Sequence, residues 1–150
     1  MKERGWFCDL NEVRVTYVPR YILPDYNVFF EKGCEFLRLE PPVNLYEATM
    51  GLLAVYHHVP SVTHFPVFIG KLDELLEPFV LREIEERGEE SAYALIRGFL
   101  RNIDRTVTDS FCHANIGPKA TRAAELILRA ERELQDSTPN ITLLYDPDLT

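Results

Sequence analysis

Apolar positions recur along this chain with two periods. Ala92, Leu95, Ile96, Phe99, Leu100 and Ile103 fall at i, i+3, i+4, i+7, i+8 and i+11, the spacing of one helix face. Leu72, Leu75, Leu76, Phe79 and Val80 make a second helical stripe, with Pro78 predicting a kink. Tyr26, Phe29, Phe30, Cys34 and Leu37 make a third, opened by Asp25 as a cap and stopped by Pro41-Pro42. From Leu45 to about His58 nearly every side of the predicted helix is apolar, and Asn44 with Glu47 resembles a capping box. Such a helix is normally buried on most sides. Few helices of a chain of 150 residues can be surrounded in that way, so this one is expected to want partners.

The second period is that of strands. Val13, Val15 and Tyr17 alternate with polar residues and predict a short edge strand. Val62 to Ile69 reads as a strand whose Pro66 implies an edge, a bulge or a strand end. Phe111 to Ile116 is another, and Gly117-Pro118 is expected to open a helix running to about Gln135. Ile141 to Tyr145, bounded by Pro139 and Pro147, reads as a buried strand wanting neighbours on both edges and cover on both faces. Strand, two helices, strand, two helices, strand, helix, strand is an α/β order with parallel strands and right-handed crossovers. The expected fold is a helix-rich α/β unit with about four mostly parallel strands. Residues 1–150 would form a single incomplete domain, either a small open sheet or less than half of a barrel.

Composition narrows the function classes. A net charge of −8 argues against nucleic acid or an anionic membrane as partner. The acidic run Glu83, Glu85, Glu86, Glu89 and Glu90 reads as a solvated helix end and loop. Three widely spaced cysteines, Cys8, Cys34 and Cys112, form no CxxC and point to a reducing, cytoplasmic setting. The longest apolar stretch, Leu52 to Tyr56, is too short to span a bilayer.

Candidate chemistry is sparse. Cys112 and His113 are adjacent on a predicted strand, so they point to opposite faces and cannot pair as nucleophile and base. On the same parity Phe111, His113 and Asn115 share one face, and Cys112, Ala114 and Ile116 the other. If the first face lines an enclosed space, His113 and Asn115 would meet a substrate; otherwise they satisfy backbone groups in a helix–sheet layer. His57, His58, His64 and His113 form no metal-ligand spacing, and no metal is expected. His57-His58 is expected at a helix end, where the dipole favours positive charge. Gly117-Pro118 before a helix could offer N–H groups to an anion, though helix initiation alone explains it. In the run from Asp104 to Asp109, at a helix C-terminus and loop, an Arg–Asp pair reads as structural.

Three stretches together resemble a known family: Val62-Thr63-His64-Phe65-Pro66-Val67-Phe68-Ile69-Gly70, the segment from Asp104 to Pro118, and Thr138-Pro139-Asn140-Ile141-Thr142-Leu143-Leu144-Tyr145. They are similar to the YjjI-type glycine radical enzymes, whose substrate is unassigned, and the last stretch also resembles a strand of pyruvate formate-lyase. The resemblance runs from about Arg20 to the end. It implies a ten-stranded α/β barrel of two parallel halves. Inside that barrel a thiyl-forming cysteine loop meets a loop whose glycine stores a radical, installed by a separate S-adenosylmethionine iron–sulfur enzyme. In the family the Pro-Asn strand precedes both loops. The resemblance therefore implies an internal portion of the N-terminal half-barrel, with no catalytic residue and no cofactor in this chain, inactive alone. Cys112 lies before that strand and does not take the thiyl role. His64, His113, Asn115, Asn140 and Tyr145 are the substrate-pocket candidates. The implied partners are the remainder of the barrel or further copies of the chain, and the radical-activating enzyme. The alternative is a split-subunit module docking on a partner that supplies the other strands. A third reading is a small α/β enzyme with Cys112 as nucleophile.

Overall fold

The computed structural model describes residues 21–63, 65–106, 112–137 and 139–149. In order they form α1 (Tyr26–Lys32), α2 (Leu45–Thr63), β1 (Phe68–Ile69), α3 (Leu72–Arg87), α4 (Glu89–Thr106), β2 (His113–Ile116), α5 (Arg122–Leu134), β3 (Asn140–Leu143) and a 3-10 turn (Pro147–Leu149). The expected α/β alternation holds, with a helix-rich layer on a small sheet. The strands are parallel in the order β1-β2-β3. Ile22 adds a parallel bridge to Val67 on the far side of β1. The strand expected at Val13 to Tyr17 lies outside the described residues.

Local chemistry sets most boundaries. Asp25 Oδ1 accepts the Asn27 and Val28 amides at 3.1 and 3.2 Å and starts α1. Gly33, at φ +74°, ends it. Cys34 and Leu37 are therefore not helical, contrary to the stripe. Cys34 and Leu39 instead exchange two backbone bonds of 2.8 and 3.0 Å across a tight turn, and both stripe residues still pack on the core. The Asn44 cap is present: its Oδ1 accepts the Glu47 amide at 2.8 Å, while Glu47 reaches back to the Val43 N–H at 2.9 Å.

α2 is longer and less enclosed than its composition predicted. Leu45, Ala48, Thr49, Leu52, Val55 and Tyr56 are buried on one face, while Tyr46 is exposed. The helix continues through Pro60 and takes Val62 and Thr63 from the predicted strand, of which only Phe68 and Ile69 remain. His57 and His58 are thus not at a helix end, and His57 Nε2 lies 3.1 Å from Thr106 Oγ1. Pro66 sits just before β1, where its carbonyl accepts from Ile22 and its missing donor is not needed.

α4 is the central helix. It packs on α2, α3 and α5, and its stripe of Ala92, Ile96, Phe99, Leu100 and Ile103 is buried as the spacing predicted. α3 lies on β2 and runs unbroken past Pro78. The acidic run is not simply solvated. Glu83 is 4% exposed and accepts from Arg87 and Ser91, each at 2.6 Å. Glu89 and Glu90 pair with Arg122 and Arg129 of α5.

The helix after β2 begins later than predicted. Thr121, not Pro118, caps α5, and Glu77 of α3 takes the Arg122 and Ala123 amides at 3.0 and 2.7 Å. Asp73, fully buried, takes the Gly117 N–H at 3.2 Å and the Thr121 hydroxyl at 2.9 Å. These carboxylates fill the place an anion would take, so the anion-binding reading of Gly117-Pro118 fails. Asp104 holds the Ser137 N–H and hydroxyl at 3.1 and 3.2 Å, and Arg105 contacts Asp104 and Asp136, which supports the structural reading of that pair.

β3 departs most from expectation. It spans Asn140–Leu143, excludes Tyr145, and is the edge strand with β2 as its hydrogen-bonded neighbour. Ile141 is half-buried but Leu143 is 63% exposed, so the strand is not covered as its apolar run predicted.

Candidate functional site

The sheet has one covered and one open face, and the pleat assigns residues to each. Ile69, Cys112, Ala114 and Ile116 point into the helical layer and belong to the buried core. In register, Phe68 pairs with His113, His113 with Asn140, and Asn115 with Thr142. Side chains paired across parallel strands share a face, so these five lie on the open side. Two buried tyrosines brace the strands from the helical side. Tyr26 donates to the Phe68 carbonyl at 3.0 Å and Tyr56 to the His113 carbonyl at 3.2 Å. Burial raises the pKa of both phenols, which keeps them neutral donors.

Two open hollows run along this face. One of about 340 Å³ is lined by Tyr21, Leu23, Phe68, His113 and Thr142. The other, about 760 Å³, lies at the carboxyl ends of the strands, where Phe68, Gly70, Lys71, Glu74, Asn115 and Leu144 contribute. Leu23 and Phe68 border both. The carboxyl ends of parallel strands are the usual place for sites in α/β folds.

His113 packs against an aromatic ring. Tyr21 crosses it edge-on with centroids 4.9 Å apart, and the Tyr21 hydroxyl lies 3.4 Å from His113 Nε2. Asn115 Oδ1 accepts the backbone N–H of Lys71, joining β2 to the turn after β1. Lys71 Nζ is 3.0 Å and Lys119 Nζ 3.2 Å from the Glu74 carboxylate. Those lysines, Lys71 foremost, hold the Glu74 carboxyl below its ordinary range.

Of the sequence candidates, His113 and Asn115 are brought onto the lining of these hollows. Asn140 shares their face at the start of β3, beside His113 in register, and is exposed. Tyr145 lies past the strand, 76% exposed, and lines neither hollow. His64 lies outside the described residues. Sequence reasoning missed Tyr21, Phe68, Lys71 and Thr142. Strand parity would have found Phe68 and Thr142 once the register was known. Tyr21 sits in an irregular connection that carries no pattern.

Cys112 does not act as a nucleophile in this arrangement. It is 3% exposed on the helical side of β2, and burial pushes its thiol up to about 12. Among the described residues no group of three or more His, Cys, Asp or Glu side chains is placed to hold a metal ion. No described helix is long and apolar enough to cross a membrane. The open face can bind and orient a small molecule through imidazole, carboxamide and hydroxyl groups.

Comparisons with known proteins match the whole chain, residues 1–150, to the family described as glycyl radical enzyme YjjI-like. An uncharacterized protein of Haemophilus influenzae is 57% identical over 143 residues, covering 95% of this chain and 27% of its own length. The uncharacterized protein YjjI of Escherichia coli is 45% identical over 152 residues, covering 99% of this chain and 28% of its own. The chain thus spans about a quarter of the length of the curated relatives it matches. No solved structure matches it.

Proposed function

The chain belongs to the YjjI-like glycyl radical enzyme family, and from that premise we propose that it supplies one wall of a radical-enzyme barrel. The observation that carries this reading is the asymmetry of the sheet. Helices cover one face, while the other presents His113, Asn115 and Thr142 on open hollows, with Asn140 beside His113 in register. A parallel sheet buried on one side only is incomplete, since such sheets occur with both faces covered. In the longer protein the open face lines the water-excluded interior in which a small organic substrate reacts by radical chemistry.

This wall binds and orients; it does not initiate. The Cys112 thiol faces the helices, so the thiyl role belongs to another part of the longer protein. The glycyl radical and the iron–sulfur enzyme that installs it belong to that larger assembly. The isolated chain is inactive on this reading.

Solvent accessibility tests it. Diethyl pyrocarbonate should modify the part-exposed His113 in the 150-residue chain, its rate read against exposed His58 as the internal standard. In a full-length family chain carrying this segment, His113 should react at least about tenfold more slowly than His58. Equal reactivity of His113 in the two settings would refute the wall assignment.

A second reading is a module that docks on a separate partner supplying the remaining strands. The exposed outer side of β3, with Leu143, Leu144 and Tyr145, favours it. A monodisperse, cooperatively melting monomer on size exclusion would count against an obligate partner.

A further inference from the structure

The larger hollow contains an amide whose orientation is fixed by a donor that cannot accept. A backbone N–H only donates, so the atom of Asn115 facing the Lys71 amide must be its oxygen. The two Nδ2 protons are then turned away from the Gly70–Lys71 turn, in a side chain that lines the hollow. No hydrogen-bond acceptor among the described residues meets Nδ2.

The two carboxylates of the hollow have partners other than Asn115. The Glu74 carboxylate lies between Lys71 and Lys119. Asp25 Oδ1 takes the amides of Asn27 and Val28. The apolar part of the lining is Leu23, Phe68, Leu75 and Leu144, with Tyr26, Asn27 and Lys71 at its polar margin. On the β2 side of the hollow the unmet capacity is the donor capacity of Asn115, close to the apolar side chains of Phe68 and Leu144. A donor placed in this way suits a small molecule that brings an sp2 oxygen to the β2 side of the hollow.

We propose that Asn115 is a specificity-determining residue of this site, donating through Nδ2 to a carbonyl or carboxylate oxygen of the ligand. The proposal rests on the wall reading for its biological setting, but the recognition chemistry is a property of this chain. Loss of one such donor is worth a factor of roughly three to ten in affinity, and more when an acceptor replaces it.

The test uses the 15N-labelled chain titrated with acetamide and, separately, with acetate. Acetamide supplies the neutral carbonyl, acetate the carboxylate, and the comparison tells which the site prefers. With at least one probe the Asn115 side-chain amide resonances should shift saturably together with the Gly70 and Lys71 backbone amides, while Asn44 on the remote cap does not move. Asn115→Asp keeps an oxygen for the Lys71 N–H and replaces the donors with a charged acceptor, so the neutral acetamide arm is the one that reads the loss of the donors. It should melt within a few degrees of the wild type and bind the preferred probe at least about tenfold more weakly. Saturable binding that leaves the Asn115 amide unmoved, undiminished affinity in Asn115→Asp, or no saturable shift with either probe overturns the proposal. None of these outcomes alters His113 protection in the longer protein, so this inference and the wall reading fail separately.

Discussion

On one side of β2, Cys112, Ala114 and Ile116 vanish into the helical layer; on the other, one residue out of step, His113 and Asn115 stay part-exposed. The two sides share a backbone and differ in what stands against them. Toward the helices, buried polar groups brace the strands and turns. Tyr56 bonds a strand carbonyl, while Asp73 and Glu77 close the Gly117 turn and the start of α5. Toward the open side, the Tyr21–His113 contact is long and Asn115 offers donors that no described residue takes. Stability is concentrated on the first face, and the proposed reading leaves recognition to the second.

The largest test of that contrast is in α4. Phe99 is fully buried, so Phe99→Ala should cost about 3–5 kcal/mol and lower the melting temperature by on the order of 10 °C. A thermal or urea melt measures it. A loss below about 1 kcal/mol would mean that the helical layer is not the stabilising core.

A smaller effect is expected where the faces meet. Gly117 has φ +84°, and a Cβ there would lie 3.0 Å from the Leu144 carbonyl oxygen. Gly117→Ala should destabilise by about 1–3 kcal/mol through backbone strain and contact with the chain after β3. Amide exchange localises it: the Leu144 N–H, bonded to the Ile116 oxygen at 2.9 Å, should lose protection before the amides of α4 do.

The smallest effect belongs to the open face. Thr142 is exposed and on the hollow, and Thr142→Val should change stability by no more than about 0.5 kcal/mol. A melt showing a loss as large as that of Phe99→Ala would erase the distinction between the two sides.

Much of the helical layer was legible before any coordinates. The α4 stripe, the Asp25 and Asn44 caps and the parity of β2 are local properties, encoded within a few residues of one another. What failed did so for nonlocal reasons. Val62 and Thr63 have strand-like composition, but α2 continues through them and leaves a two-residue strand. Glu83 belongs to a charge run, yet Arg87 and Ser91 make its burial tolerable. Ile141 to Tyr145 is apolar enough for a core strand but occupies a sheet edge. Of the site, His113 and Asn115 were reachable from alternation alone. Tyr21, Phe68 and Lys71 were not, because their place depends on which strands pair and where the turn after β1 comes to rest.

The sequence by itself determined the helices, the α/β order and the opposition of Cys112 to His113, since periods of 3.6 and 2 residues follow from backbone geometry. Its resemblance to a radical-enzyme family, on stretches around His64, His113 and Asn140, agreed with the family match over the whole chain. Only the tertiary structure decided which face of the sheet would be filled by helices and which left open. It alone fixed the Asn115 oxygen on the Lys71 amide, turning the donor end away from the turn. Pairing and cover are contacts between residues distant in sequence, and no local pattern specifies which of two chemically plausible faces receives them.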